Sequence, residues 1–245
     1  MRTRLVMQMA LILVVVSMHG LAAAQSSRMI LALGNTAFLD PKSIQAATAA
    51  EVKTLPDKLQ LKDFSVVVLA NMAFPAMPGP VQEGLVQYVA DGGALLITGG
   101  SQGFGSGGYQ TVASIIPFQI RSNNDWRFTP YRPPVPIQPG HPILAGVNFI
   151  TVGSLNDMNP RSDATEILQA AGGGSAAGGA VGGGGLRGGG SYPYPLIAEL
   201  HVGAGTVIGM ALDLNEFAGM ADRDLFVRNT MAYLLSVSRI GPPIR

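Results

Sequence analysis

Phe64-Ser65-Val66-Val67-Val68-Leu69-Ala70, then Val81, Leu85, Tyr88 and Val89 at helical spacing, then Ala94-Leu95-Leu96-Ile97-Thr98, decide the fold of this chain. The two outer runs are short, apolar and nearly unbroken, the pattern of strands covered on both faces of a parallel sheet. Between them Pro80 stands where a helix begins and Asp91-Gly92-Gly93 where one stops. Strand, helix and strand with tight joints make a βαβ unit, whose crossover is expected to be right-handed.

On the N-terminal side, Met29-Ile30-Leu31-Ala32-Leu33 reads as a first strand, and Lys42 to Lys53 as a helix ending before Pro56. On the C-terminal side, Thr111–Ile116 reads as a short helix, and Phe118–Ile120, Phe149–Val152 and Thr165–Ala170 as strands. Asn123 to Gly140 is rich in proline without periodicity and reads as an ordered surface excursion. Gly172 to Gly190 has Arg187 as its only charge and reads as a disordered loop, since its composition cannot repay the entropy of ordering. Pro195–Leu200 and Thr206–Leu212 flank a glycine turn and predict a β-hairpin. Asp224–Val237 predicts a closing helix, with Asp222 a candidate N-cap.

Composition narrows the function classes. Hydrophobic residues make up 47% of 245 residues and charged residues 13%, enough to bury a sizeable core. Arg2 and Arg4, the apolar run Leu5–Met18 and Ala22-Ala23-Ala24 predict a signal peptide over residues 1–24, with an uncleaved anchor as the alternative. The mature chain, 25–245, is then expected to be one exported domain, periplasmic or secreted. Two of the 16 basic residues leave with the leader, against 15 acidic ones, so no basic footprint for nucleic acid remains. There is no cysteine. That excludes disulfides, a thiol nucleophile and thiolate metal ligands.

Several motifs together carry a likeness to a known family. Gln87-Tyr88-Val89-Ala90-Asp91-Gly92-Gly93, Ala94–Gly100, Phe104-Gly105-Ser106-Gly107-Gly108-Tyr109, Ile115-Ile116-Pro117, His141-Pro142-Ile143-Leu144 and Gly203–Val207 resemble the class I glutamine amidotransferase-like domains of bacterial envelope proteins. The resemblance implies an α/β, flavodoxin-like three-layer sandwich with a mostly parallel sheet and a C-terminal hairpin plus helix. It also implies a cysteine on a strand-to-helix turn and a His-x-Glu pair. This chain has neither: His141 is followed by Pro142-Ile143 and His201 by Val202-Gly203. No glutaminase residue carries over, so the likeness speaks for fold and not for reaction.

Three further patterns invite chemistry. Gly99-Gly100-Ser101-Gln102-Gly103 spells the G-x-S-x-G nucleophile elbow, and Ser101 with His141 or His201 would make a serine hydrolase. The elbow should open into a helix, whereas more glycines follow. Gly103-x-Gly105-x-x-Gly108 spells a dinucleotide fingerprint, but it sits outside the first βαβ unit and lacks a suitably placed acid. His141 and His201 lack a close-spaced ligand partner, so neither a metal nor a cofactor is expected. The loop aromatics Phe104, Tyr109, Trp126, Tyr131, Tyr192 and Tyr194 either line a groove or pack over the sheet edge. The expectation is a non-catalytic binding or assembly module of the bacterial envelope. Its small ligand or partner protein would meet Asn71, Ser101, Gln102, Phe104, Tyr109 and His141 at the C-terminal ends of the strands.

Overall fold

The computed structural model describes residues 28–54, 58–132, 134–148, 152–170, 194–217 and 222–241. The leader and the 172–190 tract lie outside the described residues, as do positions 149–151 of one expected strand. The first five strands of the main sheet are β1 (Met29–Gly34), β2 (Glu51–Lys53), β3 (Val66–Ala70), β4 (Ala94–Thr98) and β12 (Gly205–Met210). They lie in the order β2-β1-β3-β4-β12, all parallel. Antiparallel β11 (Tyr194–Val202), β10 (Thr165–Ala170) and β7 (Pro134–Pro136) complete eight strands. Two short ribbons stand outside this sheet: β5 (Phe118–Ile120) with β9 (Met158–Pro160), and β6 (Trp126–Arg132) with β8 (Val152–Asn156).

Helices cover both faces. Helix α1 (Pro41–Thr48) and α3 (Arg223–Val237) pack on one side, over Ile30, Val66, Val68, Leu96, Ile208 and Met210. Helix α2 (Gly79–Ala90) packs on the other, over Leu31, Val67, Leu69, Leu95, Ile97 and Val207. Alternate residues of β3 and β4 thus serve opposite layers, as the two-residue period of a strand dictates. All ten residues of these two strands are buried. The result is the flavodoxin-like three-layer sandwich that the resemblance implied, with its C-terminal hairpin and helix.

Three local expectations are corrected. The first helix stops at Thr48 instead of Lys53, because Thr48 Oγ1 turns back onto Ile44 O at 2.7 Å and Ala49 adopts φ 57°. The chain then re-enters the sheet as β2. The proline-rich excursion contains β6 and β7. Pro134 and Pro136 are tolerated because β7 is an edge strand, where a missing N–H costs little. Asp222 holds the N-cap position of α3, yet its carboxylate accepts the Asn148 N–H at 2.7 Å instead of capping a helix amide.

Tyr88 joins helix to sheet. Its ring lies against Gly93, where a Cβ would fall 2.3 Å from the ring, and its hydroxyl bridges Phe64 O at 3.2 Å and Ala94 O at 3.1 Å. Burial pushes the phenol far above its ordinary pKa. Tyr88→Phe leaves those carbonyls without this donor and is expected to cost about 1–2 kcal/mol. The check is chemical denaturation; an unchanged midpoint would contradict this role for the hydroxyl.

Candidate functional site

The C-terminal ends of the parallel strands are where open α/β sheets place their sites. Here that edge is dominated by the glycine-rich turn 99–109, fastened from two sides by buried and half-buried polar side chains.

On the first side, Asn71 follows β3 with φ 41°, left-handed for a non-glycine residue. Asn is among the side chains that tolerate this geometry. Its Oδ1 accepts the Gln102 N–H at 2.8 Å, and its Nδ2 donates to Asp213 Oδ2 at 2.8 Å. Asp213 is buried, and its Oδ1 accepts the Asn215 backbone N–H at 2.9 Å and Nδ2 at 3.0 Å. Asn215 Nδ2 also donates to Asn35 O at 2.7 Å, which ties the end of β1 to the segment after β12. Gly100, at φ 126°, has no room for a side chain, since a Cβ would lie 2.2 Å from the Asn71 amide carbon.

On the second side stands Asp125, 1% exposed. Its carboxylate accepts the Gly105 N–H at 2.9 Å, the Ser106 N–H at 2.9 Å, the Ser106 hydroxyl at 2.8 Å and Asn156 Nδ2 at 2.9 Å. Asn156, fully buried, also accepts the Gly100 N–H at 2.9 Å. The remaining glycine amides fold back on the turn or the sheet. Gly99 N donates to Met210 O and Leu212 O, Gly103 N to Gly100 O, Gly107 N to Gly103 O and Gly108 N to Gly105 O. These amides are turned inward, so they form no cradle for a nucleotide phosphate. That is a physical reason for the fingerprint's irrelevance.

The candidate residues divide sharply. Ser101 and Gln102 side chains face solvent at this edge, and Asn71 is half-buried beside them. Phe104 and Tyr109 were expected against a ligand, but both are fully buried in the α2-side core. Phe104 meets Phe118 edge-on at 5.5 Å, and the Tyr109 hydroxyl donates to Met72 O at 2.9 Å. Packing over the sheet won because each ring removes a large apolar area from water. Burial also raises the Tyr109 phenol well above its ordinary pKa. Trp126 is half-buried and opens β6, Tyr131 lies in the same strand, Tyr194 opens β11, and Tyr192 falls outside the described residues.

His141 is also placed away from the turn. Its Nδ1 accepts the Ile143 N–H at 3.3 Å, capping the short turn Pro142–Leu144, and its ring meets Tyr233 of α3 at 4.8 Å. Its Nε2 lies 3.5 Å from Glu199 Oε2, close enough for charge but without hydrogen-bond geometry. Glu199 is buried on β11, and Tyr233 donates its hydroxyl to Oε1. Burial, with the bond and charge of Glu199, drives the Tyr233 phenol upward. His201, two residues along the same face of β11, contacts Glu199 Oε1 at 3.7 Å and Thr206 Oγ1 at 3.2 Å.

Register separates His201 from Ser101. His201 pairs with Thr206, and Thr206 with Ala94, so His201 is level with the start of β4. Ser101 lies beyond the other end of that strand, whose four steps span about 13 Å. The partners of the two imidazoles are Ile143, Tyr233, Glu199 and Thr206, and Ser101 is not among them. Among the described residues no group of three or more His, Asp or Glu side chains could hold a metal ion.

An open groove of ≈ 530 Å³ lies elsewhere, along β5 and the turn Tyr109–Ile115. Its one charged wall residue, Arg161, is already committed to Ala113 O, Ser114 O, Ile116 O and Asp163, so no cation is spared for a ligand. Ser101 and Gln102 do not line it.

With this geometry in hand, comparison with solved structures is informative for the fold. A cytoplasmic protein from Salmonella typhimurium LT2 is similar at 14% identity and a TM-score of 0.61, covering 84% of this chain and 99% of its own. A ThuA-like protein from Bacteroides uniformis is similar at 13% identity and 0.56, covering 91% and 97%. The β-galactosidase of Rahnella sp. R3 is similar at 11% and 0.52, over 84% of this chain but 31% of its own. No family model and no curated protein matches the sequence. At these identities the likeness establishes the α/β, flavodoxin-like fold and no activity.

The Asn71 clamp predicts an ordered pair of variants. Asn71→Gly loses two hydrogen bonds but accepts the left-handed backbone, while Asn71→Ala loses the same bonds and adds strain of about 1 kcal/mol. Urea denaturation should therefore rank wild type above Gly above Ala. Equal stability of the two variants would contradict the strain at residue 71.

Proposed function

We propose that this chain is an exported, non-catalytic binding or assembly module of the bacterial cell envelope, built on a glutamine amidotransferase-like fold. Its ligand or partner meets the C-terminal edge of the sheet around Asn71, Ser101 and Gln102. The supporting observation is the combination at Ser101: an exposed hydroxyl on a turn fixed by buried clamps, with both histidines engaged elsewhere. A rigid scaffold presenting polar loop side chains suits recognition. Nucleophilic catalysis needs an adjacent base to activate the hydroxyl.

Two features support the assembly side of this reading. The same fold makes up nearly all of one similar chain and under a third of a β-galactosidase, so it serves both alone and joined to other units. Export rests on the basic start at Arg2 and Arg4, the apolar run Leu5–Met18 and the small residues Ala22-Ala23-Ala24. The ligand is expected to be neutral or rich in hydrogen-bond donors. Asp213 and the amides of Asn71 and Asn215 set the character of this edge, and no lysine or arginine joins their hydrogen bonds among the described residues.

A fluorophosphonate probe should leave wild type and Ser101→Ala equally unlabelled. In a pull-down from envelope extracts, Ser101→Arg should lose partners that wild type retains, with stability unchanged within about 0.5 kcal/mol. Labelling of wild type that vanishes in Ser101→Ala would replace this reading with the hydrolase.

A further inference from the structure

We propose that Gly105 and Ser106 form a working oxyanion nest that this chain occupies with its own carboxylate, Asp125, carried on the loop 121–125. Four donors converge on that carboxylate, two of them consecutive backbone amides, and none is a cation. Consecutive N–H groups turned to one side by a left-handed residue make an anion-binding concavity. Phe104, at φ 40°, supplies that turn. Gly105 must be glycine for the approach, since a Cβ would fall 1.9 Å from Ser122 O and 2.8 Å from Asp125 Oδ2.

Part of this donor set is also held by bonds that do not involve the carboxylate. Asn156 Oδ1 is committed to the Gly100 N–H, which leaves its Nδ2 aimed at the carboxylate. The backbone beyond the nest closes on itself through Gly107 N to Gly103 O, Gly108 N to Gly105 O and Tyr109 N to Phe104 O. A partly preorganised set of neutral dipoles therefore surrounds a space the size of one carboxylate. Asp125 reaches it from 20 residues along the same chain. Tethering gives it an effective concentration that free carboxylates do not match. The loop is thus a plug for a site whose ligand class is a small carboxylate. This inference is independent of what the Ser101 edge binds.

The test is thermal unfolding of the full chain carrying Asp125→Gly, in sodium formate against sodium chloride at equal ionic strength. Formate is expected to raise the variant's midpoint by about 2–4 °C over chloride as the emptied nest fills. Wild type, already plugged, should respond alike to both salts. Adding Ser106→Ala should remove most of the formate effect, since it deletes one donor. A folded Asp125→Gly protein with the same midpoint in both salts would overturn the proposal. If that variant does not fold in chloride, refolding from denaturant into formate decides: recovery in formate supports the nest, and no recovery in either salt overturns it.

Discussion

The buried carboxylate of Asp125 is the interaction on which the functional edge depends. A carboxylate 1% exposed without a cationic partner would be prohibitive if left bare. Here it is compensated by two amides, a hydroxyl and a side-chain amide. The dependence runs both ways. The turn 99–109 is crowded with glycine and would be entropically expensive to order on its own. Asp125 and Asn156 from one side, and Asn71 with Asp213 from the other, supply the bonds that fix it.

That fixing shapes function. A glycine-rich turn after a central strand is usable as a phosphate cradle only if its amides point outward. In this chain they point inward, so the recognition proposed for this edge rests on the side chains of Ser101 and Gln102. The chain's most suggestive acid–base group, Glu199 with His141, His201 and Tyr233, lies on the α3 face, with Glu199 level with the middle of β4 and His201 with its start. Strand register separates His201 from the serine. Ser101, His141 and His201 share no hydrogen bond among the described residues.

Much of the fold was legible because β3, α2 and β4 each state their burial within a few residues: unbroken apolar runs, a helical stripe, and Gly92-Gly93 as a stop. The hairpin around Gly203 was legible for the same local reason. The errors came where tertiary context overrode local pattern. Helix α1 ended early at a left-handed Ala49, and β7 formed from a proline-rich stretch because an edge position tolerates it. The site was harder to read. Asn71 reaches Asp213 across 142 positions, and Asn156 reaches Gly100 across 56, separations that leave no spacing signature. Phe104 and Tyr109 were misassigned because an aromatic in a loop carries no mark of which way it packs. Glu199-Leu200-His201 did carry a signal, since alternate residues of a strand share a face, but only the structure adds His141 and Tyr233.

Hydrogen exchange across residues 99–109 of the full chain is the most direct measurement of the central account. The amides of Gly100, Gly105 and Ser106 should be protected to about the level of the β4 amides, because their acceptors are buried. Exchange of these three amides at the rate of an open, solvated loop would contradict it, and the turn would then be free to bind through its backbone after all.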